Sequence, residues 1–65
     1  MEDIEELRAL VRKLNQRATA AKLELHDLSE ELPTGWERIV EVAQRTGQAY
    51  ALLADARSRL AAAGG

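Results

Sequence analysis

From Ile4 onward the apolar residues of this chain fall at Ile4, Leu7, Val11, Leu14, Ala18, Ala21, Leu25, Leu28 and Leu32, in steps alternating three and four. That spacing is one face of a helix, with Ile4, Val11, Ala18, Leu25 and Leu32 at heptad position a and the others at d. The positions between them are mostly polar, so the pattern predicts one long amphipathic helix over about residues 3–31. Asp3 and the glutamates that follow complement the positive end of the helix dipole. Pro33 biases Leu32 away from helical dihedrals and closes the segment.

A turn over residues 32–35 leads to a second helix over about residues 35–62. Thr34-Gly35-Trp36-Glu37 matches the capping box, in which a hydroxyl covers an orphan amide and a carboxylate reaches back. On a helical wheel Trp36, Ile39, Val40, Ala43, Gly47, Tyr50, Ala54 and Ala61 share one face, flanked by Val42, Leu53 and Leu60. Glu37, Arg38, Glu41, Gln44, Arg45, Gln48, Asp55 and Arg59 take the opposite side. On this reading Trp36 plugs the open end of the hairpin and Tyr50 belongs to its core.

A connection this short makes the helices antiparallel neighbours. The matching register sets Leu7 opposite Leu60, Leu14 opposite Leu53, Leu25 opposite Val40 and Leu28 opposite Ile39. It also sets Ala18 and Ala21 against Ala43, Thr46 and Gly47, small against small. A glycine inside a helix costs about 1 kcal/mol relative to alanine, so Gly47 reads as a packing choice.

Composition changes this picture in one respect. The 65 residues make a single domain, 1–65, with no Phe and with Trp36 and Tyr50 as the only aromatics. So small a core falls short of offsetting the loss of about 1.5 kcal/mol of conformational freedom per ordered residue. Leu10, Leu23 and Leu52 fall off the main stripes and stay wet in a lone hairpin. The expected fold is therefore all-α, an antiparallel two-helix hairpin that dimerises into a four-helix bundle. Leu10, Leu23, Leu52, Ala18, Ala21 and Gly47 are its candidate interface residues.

The absence of cysteine excludes disulfides, thiolate metal sites and thiol catalysis. No apolar run is long enough to span a membrane and the first residues are acidic, so a cytoplasmic location is expected. The net charge of -2 conceals segregated blocks. Glu2, Asp3, Glu5 and Glu6 come first, then Arg8, Arg12, Lys13, Arg17 and Lys22, then Glu24, Asp27, Glu30, Glu31 and Glu37. Blocks of this kind suggest a partner, and a second copy could set basic against acidic.

The run Asn15-Gln16-Arg17-Ala18 through Lys22, followed by Leu25-His26-Asp27-Leu28-Ser29-Glu30, Leu32-Pro33 and Trp36, carries a resemblance. It is similar to the small Rop-like helical-hairpin proteins encoded in bacterial and cyanobacterial nitrogen-fixation gene clusters. The resemblance spans nearly the whole chain. It implies a hairpin that assembles as a dimer or higher, and an accessory role in nitrogenase maturation or support; the chain is expected to fill that role by binding, through protein contacts. It also implies a divalent metal at His26, at a contact between chains.

His26 and Glu30 stand four apart on one helix face with Asp27 beside them, which is two-ligand spacing. Such a pair makes a weak site unless symmetry adds ligands, and an ordinary surface histidine is the simpler reading. No other cofactor is expected. Arg12, Lys13 and Arg17 form a candidate RNA or partner face, because the first helices of Rop bind paired RNA loops. The acidic balance and the lack of aromatics in the block argue against nucleic acid. Ser29, Ser58 and the threonines have no base at nucleophile spacing, so the chain reads as non-enzymatic.

Overall fold

A computed structural model describes residues 3–65; Met1 and Glu2, the first of the opening acids, lie outside the described residues. Helix α1 runs Ile4–Glu30, and its start is built as the sequence implies. Asp3 has extended backbone, its side chain accepts a 2.8 Å hydrogen bond from the Glu5 amide, and Glu5 and Glu6 occupy the first turn. The Asp3 carbonyl accepts from the Leu7 amide at 2.9 Å and begins the helical ladder. No basic residue stands in the last turn, where the Glu31 amide closes on the Asp27 and Leu28 carbonyls.

The chain reverses over residues 31–35, tied by Thr34 N–H to the Glu31 carbonyl at 3.0 Å and Trp36 N–H to the Pro33 carbonyl at 3.3 Å. Gly35 has a φ of 76°, a left-handed conformation that side chains disfavour. One 3-10 turn, Trp36–Arg38, then leads into helix α2, Ile39–Ala62. The capping box expected from Thr34 and Glu37 is not formed. The cap position falls one residue later, on Gly35, and no side chain hydrogen-bonds there. Leu32, counted with the heptad, sits past the end of α1 and is exposed.

The two helices pack along their length as a rod of 48 × 14 × 11 Å. Among the described residues the core consists of Leu7, Leu14, Ala18, Leu28, Val42, Leu53 and Ala56, with Ala18 wholly inaccessible. Leu14, Ala18, Leu53 and Ala56 form its central cluster, against which Leu10, Val11 and Ala49 pack. Thr46 is tolerated in this layer because its hydroxyl donates, within 2.9 Å of the Val42 carbonyl and 3.3 Å of the Ala21 carbonyl. The α1 heptad thus turns inward as read, and the antiparallel hairpin is as expected.

The inward face of α2 differs from the expected one. Ile39, Val42, Thr46, Ala49, Leu53, Ala56 and Leu60 are the buried and half-buried positions. Val40, Ala43, Gly47, Tyr50 and Ala54 are exposed, as is Trp36 ahead of the helix. The apolar arc of α2 is wider than one neighbour can cover. The hairpin buries the edge carrying Val42, Leu53 and Leu60, and leaves out the part on which the sequence reading was centred. The small α2 residues in or against the central cluster are Ala49 and Ala56; a Cβ added at Gly47 would meet nothing within 4 Å. Among the described residues no helix is long and apolar enough to cross a membrane.

Candidate interaction surfaces

Three surfaces of the rod carry exposed side chains outside its core. The first is the outer stripe of the second segment. Trp36, Val40, Ala43, Gly47, Tyr50 and Ala54 are separated by steps of four, three, four, three and four, so they line one side. Trp36 is 65% exposed and Val40 66%, and Tyr50 stands out beside them at 40%. Contiguous exposed apolar residues of this size mark a contact surface on a soluble protein.

The second surface lies on the other side of the hairpin. Glu24 Oε1 receives Arg45 Nη2 at 2.7 Å and Arg38 Nη2 at 3.4 Å, so one carboxylate ties α1 to two turns of the second segment. Arg45 also lies 3.9 Å from Glu41. Beside this cluster a groove of about 460 Å³ is lined by Ala20, Leu23, Glu24, Asp27, Leu28, Glu31 and Arg38. Leu23 is 55% exposed at its edge. Leu52, at 58%, follows Arg45 by seven residues and shares that side of α2.

The third surface holds His26. Its Nε2 lies 3.4 Å from Glu30 Oε1 and its Nδ1 lies 3.7 Å from Asp27 Oδ1, with all three side chains largely in solvent. The i to i+4 arrangement read from the sequence is therefore present. Among the described residues, however, no group of three or more His, Cys, Asp or Glu side chains could hold a metal ion. One chain offers the pair His26 and Glu30, fewer donors than the four of a closed zinc site.

The other predicted residues scatter. Ala18 is core, Leu10 is half-buried against the core, and Ala21 is half-buried with its carbonyl toward Thr46. These three belong to the contact within the hairpin, since a short turn puts α2 over their side of α1. Leu23, Leu52 and Gly47 are exposed, and Gly47 lies across α2 from Leu52. Arg12, Lys13 and Arg17 are exposed with no ion-pair partner among the described residues, but they divide into two ridges. Lys13 and Arg17 stand one above the other, whereas Arg12 is turned about 100° from Lys13. Arg8, on the Arg12 ridge, pairs with Glu5 at 3.3 Å. Sequence reasoning missed the outward display of Trp36, Val40 and Tyr50 and the bridging role of Glu24. The excess width of the apolar arc was the available signal for the first, and nothing local marks the second.

A rod of two antiparallel helices with large apolar side chains on its outside defines a small all-helical hairpin. The chain belongs to the Rop-like family, whose model matches residues 2–64. A UPF0437 protein of Azorhizobium caulinodans is 52% identical over 60 residues, covering 92% of this chain and 87% of that one. A relative from Frankia alni, named as a UPF0437 protein in the nifX-nifW intergenic region, is 57% identical over 44 residues. That match covers 68% of this chain and 54% of the Frankia protein. An NMR structure from the Northeast Structural Genomics Consortium superimposes with a TM-score of 0.86 at 54% identity, covering 94% of this chain and 86% of that one. The family resemblance read from residues 15–36 is thereby borne out.

Proposed function

We propose that the protein is a non-enzymatic accessory of nitrogen fixation that works through protein contacts, as a hairpin self-associated into a four-helix bundle. The placement of its large apolar side chains carries this reading. Trp36, Val40, Leu23 and Leu52 are each more than half exposed and stand on the outside of the rod. Enzymes of small molecules converge polar groups in a concavity, whereas binding proteins present exposed anchors. The name of the Frankia relative supplies the biological setting. A divalent cation at His26 and Glu30 fits this reading as a link between chains, with the second chain adding donors.

Arg12, Lys13 and Arg17, exposed and with no ion-pair partner among the described residues, favour RNA binding as the second reading. The division of those bases into two ridges and the net charge of -2 weigh against it. Tagged protein recovered from cells growing on dinitrogen and on fixed nitrogen separates the two. Co-purification of nitrogenase-related proteins, reduced by Leu23→Ser, is the expected result. Recovery of RNA instead, lost with rising salt and with Arg12→Gln, Lys13→Gln and Arg17→Gln, would overturn it.

A further inference from the structure

We infer that a second copy of this chain covers the outer stripe of the second segment, with the two segments antiparallel and the two-fold axis passing between Ala43 and Gly47. The inference rests on the self-association proposed above and assigns it a face and a register. The stripe reads the same from either end, since its steps of four, three, four, three and four are symmetric. Antiparallel pairing about its centre sets Trp36 on Ala54 of the partner subunit, Val40 on Tyr50 of the partner subunit and Ala43 on Gly47 of the partner subunit. The largest side chain, Trp36, falls over an alanine, and the two outward residues of middle size or more, Val40 and Tyr50, fall on each other. The smallest pairs lie at the middle, where two helices that cross approach closest.

Gly47 is the residue that most needs this contact. It occupies the interior of α2, where glycine is the poorest helix former after proline. The hairpin gives no reason for it, since a side chain there would meet nothing within 4 Å. A backbone passing over this spot supplies the reason. The stripe also presents only apolar and small side chains from Trp36 to Ala54, so pairing it with itself buries no charge. The opposite side, with Glu24, Arg38, Arg45 and Leu52, carries charges that a like surface would have to desolvate.

The chain has no cysteine, so engineered thiols give a clean readout. Ala43→Cys and Gly47→Cys proteins, unfolded together, refolded and oxidised, should form a covalent dimer in the mixture. Each variant alone should give several-fold less, because like positions stand farther apart than a disulfide reaches. Leu52→Cys should stay uncrosslinked. Emission from Trp36, the only tryptophan, should shift to the blue as wild-type concentration rises, a readout free of any substitution. A dimeric wild type that crosslinks through Leu52→Cys but not through the 43/47 mixture would refute the face and register while leaving self-association standing. A wild type that stays monomeric, with Trp36 emission constant at every concentration, would overturn both and assign the stripe to a different protein.

Discussion

Arg45 Nη2 lies 2.7 Å from Glu24 Oε1, joining residues that are 21 positions apart in the chain. With Thr46 above the Ala21 carbonyl one residue further on, this pair fixes the register of α2 against α1. It also sets charge beside the exposed Leu23 and Leu52 on that side of the rod. Glu24 and Arg45 are 40% and 50% exposed, which limits the strength of the bridge. Glu24→Gln should lower stability by about 0.5–1 kcal/mol, and added salt should shrink the difference. A loss that is large and insensitive to salt, in denaturant melts of both proteins, would contradict this assignment.

Leu53 is 2% exposed and sits in the central cluster, whereas Leu52 beside it is 58% exposed. Leu53→Ala should therefore cost about 2–5 kcal/mol, enough to unfold so small a domain. Leu52→Ala should change stability by about 0.5 kcal/mol or less. Circular dichroism melts of the pair, at one protein concentration, check the orientation of α2. Equal losses would mean that the helix is rotated from the position described.

Gly35 holds a φ of 76° in the turn, and a Cβ there would come within 2.9 Å of Leu28 Cδ1. The Leu28 methyl can swing aside, but the backbone conformation cannot be relieved without moving the turn. Gly35→Ala should cost about 1–2 kcal/mol. Gly47→Ala, in open space on α2, should leave the isolated hairpin no less helical, since alanine is the better helix former. A stabilising Gly35→Ala would show that the turn is built differently.

The first helix was legible almost residue by residue, because a lone heptad with charged neighbours admits one inward face. Leu32 escaped it only because Pro33 follows and the helix had already ended at Glu30. The second helix was legible in extent but not in rotation. Its apolar residues cover both the side facing α1 and the side facing out, and no pattern within the segment ranks Val42 above Val40. The hairpin decides by what fits the α1 heptad: Val42 becomes 1% exposed and Val40 66%. Glu24 was invisible for a related reason, since its partners come from 14 and 21 residues away. The pairing of His26 with Glu30 could be read, because helix spacing alone determines it.

His26 and Glu30 of one chain make an incomplete ligand set, so divalent metal should bind weakly and only through both residues. In calorimetric titration with nickel or zinc, His26→Ala should lose the binding heat of the wild type, and Glu30→Gln should reduce it. If a second chain completes the site, metal should also raise the sedimenting mass. Identical heats and masses for wild type and His26→Ala would return His26 to the role of a surface histidine.

Sedimentation equilibrium of the wild-type protein over a wide concentration range tests most directly whether the hairpin is half of an assembly. The account predicts a mass approaching twice that of the chain as concentration rises, with a melting temperature that climbs in parallel. Gly47→Leu, which places a bulky side chain at the centre of the proposed seam, should weaken that association at least tenfold while the hairpin stays helical. A single-chain mass at every concentration, with a melt that does not move, would contradict it.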